Sequence, residues 1–126
     1  MEKSPFKGTR GLKRVINATG YSMDGLKVAI INEAAFRSLV GLNIVLIPIA
    51  LLLPVAPVER AVMIAVCLLS LIIELFNSAI EAVVDRISLE RHELSKNAKD
   101  LGSAAQFIGL WTIFIVWGII LVGHYL

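Results

Sequence analysis

Charge is scarce in this chain, and it is missing altogether where the chain is most apolar. Asp, Glu, Lys and Arg make up 17% of the 126 residues, against about 25% in an ordinary soluble domain. None occurs from Ser38 to Val58 or from Leu101 to Leu126. Neither sign dominates: 12 basic and 10 acidic residues leave a formal charge of +2. So small an excess gives no field to recruit a polyanion, and nucleic acid is not an expected partner. The single cysteine, Cys67, rules out an internal disulfide and with it the disulfide-rich secreted class. What fills the chain instead is apolar. Hydrophobic residues reach 57%, which excludes a disordered segment. The length allows a single domain over 1–126.

The charge-free run from Ser38 to Val58 has 21 residues. As a helix it is about 31 Å long, enough for a bilayer core of roughly 30 Å. The run from Leu101 to Leu126 has 26 residues, and Ala61 to Val84 between them is largely apolar but carries Glu74, Asn77, Ser78 and Glu81. Three transmembrane helices are expected, near 35–54, 58–87 and 98–123. The first span is too long, and too far from the N-terminus, for a signal peptide. Pro48 is placed to kink it, and Pro54 and Pro57 to end it and start the next. Met1 to Arg37 holds seven Lys/Arg and three acids, Pro54 to Arg60 one of each, and Asp85 to Asp100 four of each. The positive-inside bias then places the N-terminus and the second connection in the cytoplasm and the C-terminus outside.

Before the first span, Leu12, Val15, Ile16, Thr19, Met23, Leu26 and Ile30 recur at three and four residues, with Arg10, Lys13, Arg14, Asn17, Asp24 and Lys27 largely elsewhere. This is the pattern of a basic amphipathic surface helix over about 9–28, which Gly20 and Gly25 weaken and threaten to break. A tethered basic tail that only sets topology is the plainer alternative. Gly20 to Lys27 (GYSMDGLK) imitates a phosphate-binding loop, but its lysine is one place late and no Ser or Thr follows. His92-Glu93 lacks the second histidine of a zinc protease, because Lys96 stands there.

Glu74 and Glu81 are the informative residues. A charge at mid-membrane costs about 2.5–3.5 kcal/mol on insertion scales, so two on one helix need a purpose. At 100° per residue they lie about 20° apart, and Asp85 falls on the same line, flanked by Asn77 and Ser78. Three carboxylates thus form one polar stripe running towards the cytoplasm. Three short helices can hardly enclose such a stripe, so an oligomer is expected. Glu33 belongs to the same chemistry, although an i,i+4 pair with Arg37 also explains it. The cytoplasmic connection offers Glu90, Arg91, His92, Lys96, Lys99 and Asp100; a solvated loop is the plainer reading of that set. Ala105 with Gly109 and Ser78 with Ala82 are small-residue pairs that permit close helix approach.

Glu74-Leu-Phe-Asn77-Ser78-Ala79-Ile80-Glu81-Ala-Val-Val-Asp85-Arg86, with His92-Glu93-Leu94-Ser95 and Ala98-Lys99-Asp100-Leu101-Gly102-Ser103-Ala104-Ala105, resembles the integral-membrane prokaryotic diacylglycerol kinases. Ala18-Thr-Gly20-Tyr21-Ser22 and Asn32-Glu33-Ala34-Ala35-Phe36-Arg37 are similar to their Gram-negative branch. The resemblance runs from about Arg14 to the C-terminus. It implies an all-α membrane protein: a homotrimer with three transmembrane helices and a surface helix per subunit, and sites shared between subunits. It implies Mg2+-dependent transfer of a phosphoryl group from ATP to diacylglycerol. By resemblance Glu74 is the general base, Glu33 and Glu81 hold the metal on the ATP phosphates, and Lys99 contacts phosphate beside Asp100. Asn77 orders the site; Arg14, Tyr21, Glu90, Arg91 and His92 line the approach of nucleotide or lipid; Arg14 and Ser103 reach the lipid. Two positions depart from the pattern: Arg91 stands where an aromatic often precedes the loop histidine, and Leu39 where a carboxylate can follow Ala-Phe-Arg.

The nearest alternative keeps the fold and takes undecaprenol, the substrate of Gram-positive relatives. A small oligomeric proton-coupled transporter would account for Glu74 and Glu81, but not for Glu33, Lys99 and Asp100.

Overall fold

The computed structural model describes residues 11–126. Their regular structure is four α-helices: α1 (Gly11–Asn32), α2 (Ala34–Leu52), α3 (Pro57–Ile87) and α4 (Glu93–Tyr125). Three of them, α2, α3 and α4, are long and apolar enough to cross a membrane. The chain is an all-α membrane-spanning protein. It parts into two compact units, one ending at Glu33 and the other comprising Ala34–Leu126.

In the first unit, the expected surface helix is present as α1, which runs without interruption through Gly20 and Gly25. A lone glycine costs about 1 kcal/mol relative to alanine but keeps its N–H in the ladder, and 22 residues absorb two. The helix extends to Asn32 rather than 28; Thr9 and Arg10, counted in the expected helix, lie outside the described residues. Leu12, Val15, Ile16 and Met23 on its apolar stripe are exposed, as an amphipathic helix without a covering layer must leave them.

In the second unit α2 and α3 pack together, as do α3 and α4. Helix α2 runs through Pro48; only one ladder bond is lost there. It buries Phe36, Leu39, Asn43 and Ala50 along one face and ends at Leu52, short of Pro54. Pro57 then occupies the first turn of α3, where a missing N–H costs nothing. The Glu59 carboxylate accepts the Ala56 N–H at 2.9 Å, which is half of a capping box. Arg60 closes the connection: its Nε donates to the Ala50 carbonyl at 3.0 Å and its Nη2 to the Leu53 carbonyl at 2.8 Å. The Ala50 carbonyl is an orphan of the α2 C-terminus, the Leu53 carbonyl also accepts the Val55 N–H at 2.9 Å, and a cation there suits the helix dipole. An arginine on the side that the positive-inside bias leaves poor in charge thus has a local structural use.

Beyond this end lies the apolar core: Ala50, Val55, Met63, Val66, Cys67, Ile113 and Trp117. Trp117 is buried there, and its indole N–H donates to the Met63 carbonyl at 3.1 Å. Helices α3 and α4 are antiparallel in one continuous register. Going down α4 and up α3, His124 meets Glu59, Trp117 meets Met63, Gln106 meets Glu74, and Lys99 meets Asp85.

The α4 start differs from the expected 98. The helix begins at Glu93 because His92 caps it, its Nδ1 accepting the Leu94 N–H at 3.1 Å. A histidine cap carries no strong sequence signature, since Ser, Thr, Asp and Asn are the usual caps. Lys99 and Asp100 therefore sit in the second turn rather than at the helix start.

Candidate active site

The α3 seam changes character along its length. Met63, Val66 and Cys67 are followed on the same face by Ser70, Glu74 and Asn77, all buried, and then by the half-buried Glu81. The seam on α4 is complementary. Gly102 and Gly109 are buried, and a Cβ on Gly102 would collide with the Asn77 amide oxygen, while one on Gly109 would lie 2.7 Å from Ile73 Cδ1. Glycine at these two places lets the helices close over the polar stripe. Gly109 thus belongs to the close approach, while Ala105 of the expected pair faces outward.

Helix α4 covers part of the stripe within one chain: Glu74 is 6% exposed and Asn77 9%, whereas Glu81 and Asp85 stay partly open. Phe76, on the opposite face, is 68% exposed. The three carboxylates share a stripe, as their spacing indicated, but they differ in environment. Glu74 is buried. Glu81 is half-buried, makes no hydrogen bond or ion pair among the described residues, and acts on the Lys99 ammonium only through space. Asp85 is at the surface, paired with Lys99 at 2.7 Å.

Depth follows from length. About 20 helical residues cross the hydrocarbon. Counted from the Glu59–Arg60 end of α3, that places Glu81 near the opposite boundary and Glu74 somewhat below it. The remaining turns of α3 and the first turns of α4 project beyond. There they wall an open cavity of about 710 Å3 that gathers Asp85, Glu90, Arg91, His92, Lys96, Lys99 and Asp100. Five of the residues expected at the nucleotide are thus brought together. Lys99 and Asp100, neighbours in sequence, point differently: Lys99 reaches across to Asp85, whereas Asp100 pairs with Lys96 one turn back at 2.6 Å. Arg91 lines the cavity where an aromatic was expected, and Leu39 is a buried packing residue. Ser103 lies exposed on α4, outside the cavity lining. Arg14 and Tyr21 are exposed on α1, and Glu33 is the half-buried residue between α1 and α2.

Comparison with known proteins decides the family. Residues 20–121 match the family model described as prokaryotic diacylglycerol kinase. This chain belongs to the prokaryotic diacylglycerol kinase family. Among curated relatives, the diacylglycerol kinase of Pseudomonas aeruginosa is 67% identical over 123 residues, covering 98% of this chain and all of that one. Those of Haemophilus influenzae and Escherichia coli K12 are 52% and 48% identical, over 90% and 93% of this chain and 96% of each relative. The transporter alternative falls with that assignment.

Three polar residues near the stripe were missed in the sequence. Ser70 donates to the Cys67 carbonyl at 2.6 Å, Asn43 to the Leu39 carbonyl at 2.9 Å, and Gln106 both to the Ser70 carbonyl at 2.9 Å and to Glu74 Oε2 at 3.4 Å. The signal for Gln106 was present. It stands seven residues after Lys99, on the same face of the helix, and is the one amide in an otherwise apolar run. Among the described residues no group of three or more His, Cys, Asp or Glu side chains forms a ready-made metal cage.

Proposed function

We propose that this member of the diacylglycerol kinase family phosphorylates diacylglycerol with ATP and Mg2+ at the cytoplasmic face of the bacterial inner membrane, as a homotrimer. Family membership makes it a lipid kinase. The observation that carries the rest is the juxtaposition along α3: a buried glutamate just inside the hydrocarbon, and an open charged cavity just outside it. A lipid hydroxyl lies near the membrane boundary, whereas a nucleotide must stay in water. Only a site that spans the boundary serves both.

Glu74 accepts the proton of the lipid hydroxyl as that oxygen bonds to the γ-phosphorus. The bond from the γ-phosphorus to its bridging oxygen breaks, and ADP leaves. Such transfers depend on positioning and charge neutralisation more than on covalent help from the protein. Lys99 exchanges Asp85 for phosphate oxygens, with Asp100 beside it. Glu90, Arg91 and His92 border the nucleotide; Arg14 and Tyr21 approach from α1; Arg14 and Ser103 contact the lipid. Asn77 holds the carboxylate surroundings in order. Glu81 fits a magnesium ion, since its carboxylate is half-buried and unpaired and magnesium takes one or two carboxylates together with phosphate oxygens. By the family resemblance Glu33 would supply a second carboxylate, and a bound ion would neutralise phosphate charge. The charge distribution of the connections supports a cytoplasmic N-terminus and a periplasmic C-terminus.

The test is transfer of labelled γ-phosphate from Mg-ATP in mixed micelles, with diacylglycerol and undecaprenol offered separately. Preferred labelling of diacylglycerol, abolished in Glu74→Gln with Mg-ATP binding retained, is expected. Preferred labelling of undecaprenol would refute the substrate, and wild-type turnover in Glu74→Gln would refute the base.

A further inference from the structure

We propose that Gln106 is a positioning residue for the Glu74 carboxylate. The inference rests on the reading of Glu74 as the base and adds a residue on the facing helix. The amide orientation is forced by its surroundings. Both atoms within reach are acceptors, the Ser70 carbonyl oxygen at 2.9 Å and Glu74 Oε2 at 3.4 Å, so the NH2 group must face them. Its two hydrogens serve one acceptor each. The shorter bond ties the amide to the α3 backbone one turn before Glu74. The longer one guides the carboxylate, and contacts of this kind tighten when substrate arrives. Oε2 accepts that bond, while Oε1 accepts none among the described residues and remains for the substrate hydroxyl.

Space for this arrangement comes from Gly109. A Cβ there would stand 2.9 Å from Gln106 Oε1, so the amide lies against bare backbone, and its rotamer is held by the helix contact.

Packing alone gives no reason for glutamine at this place. Gln106 Oε1 and Asn77 Oδ1 are both buried without a hydrogen-bond partner, and an orphaned buried acceptor is destabilising. An apolar chain of equal length fills the same volume and removes that orphan, giving up only the long contact to Glu74 and a bond to a helical carbonyl. The residue is thus unfavourable for the fold and directed at Glu74, which is the signature of a group retained for the site.

The experiment uses the full chain in mixed micelles and compares Gln106→Met, Gln106→Asn, Glu74→Gln and the Gln106→Met/Glu74→Gln double variant. In Gln106→Met, kcat is expected to fall about ten- to a hundredfold, the range a displaced catalytic group produces. KM for Mg-ATP and for lipid should stay at wild type, and the thermal midpoint should hold or rise. Gln106→Asn keeps an amide but loses a methylene of reach, so it should be equally slow; it also decides the matter if the methionine variant does not assemble. The double variant should be no slower than Glu74→Gln alone, because a guide has nothing left to position. Wild-type kcat in Gln106→Met or Gln106→Asn, with Glu74→Gln inactive, would overturn the role of Gln106 and leave the base intact. Multiplying losses in the double variant, or a lower thermal midpoint with raised KM, would overturn it in favour of packing. Full activity in Glu74→Gln would overturn the base and the positioning role with it.

Discussion

Replacing three glycines of α4 by alanine, one at a time, measures how tightly that helix closes over the polar stripe. Each substitution gains helix propensity, about 0.8–1 kcal/mol, and this gain cancels when the three are compared. At Gly118 nothing lies within 4 Å of the new methyl group, so Gly118→Ala should stabilise by about that amount. At Gly102 the methyl overlaps the Asn77 amide oxygen and comes 3.1 Å from its Cγ. Asn77 is buried and short, so relief requires turning its amide within a closed space. Overpacking of this kind costs about 1–3 kcal/mol, and Gly102→Ala should fall below Gly118→Ala by that margin. Gly109→Ala should lie between, because its neighbours at 2.7 and 2.9 Å are the far ends of Ile73 and Gln106, which yield more readily. Unfolding free energy from titration with SDS in mixed micelles, followed by the fluorescence of buried Trp117, gives the order directly. Turnover supplies a second reading: a turned Asn77 amide beside Glu74 should slow Gly102→Ala at saturating substrates. Equal stability of Gly102→Ala and Gly118→Ala would refute the close approach of α3 and α4.

Arg60→Met removes two short hydrogen bonds from a guanidinium, to the Ala50 and Leu53 carbonyls, and a longer one to Val55; with charged donors worth about 1.5–3 kcal/mol each, the two short bonds alone should show in the same titration as a loss of roughly 3–6 kcal/mol, and a loss below about 1 kcal/mol would refute the capping role. Lys99→Met should raise KM for Mg-ATP severalfold, with unfolding little affected, because its partner Asp85 is half in solvent; unchanged nucleotide affinity would remove Lys99 from the phosphate site.

The sequence reveals most of the fold because a bilayer asks only for length and apolarity. Ser38–Val58 and Leu101–Leu126 announce themselves as spans, and Pro57 marks the start of α3 almost to the residue. The α4 start was hidden because histidine is an unusual cap. The surface helix expected over about 9–28 persists through Gly20 and Gly25, because two propensity penalties do not sever a hydrogen-bond ladder. Within the site, Glu74, Asn77, Glu81 and Asp85 were legible as one stripe from a period of 3.6. Gln106 left a weaker mark, a place on the Lys99 face of an apolar span, and only its partner on α3 gives that amide a role.

By itself, then, the sequence determined that this chain crosses a membrane three times, that carboxylates stand on one face of the second span, and which family it belongs to. Each of these is a property of one segment at a time, written in local spacing, charge or motif. The tertiary structure decided which helix that face meets. Once α4 lies antiparallel to α3, with Gly102 and Gly109 at the contact, Glu74 and Asn77 are buried inside a single subunit, Gln106 reaches the carboxylate, and Lys99 is carried to Asp85 rather than left beside Asp100. Those outcomes depend on the register between two helices, which is set by side-chain volume across the interface, and no single segment carries that information.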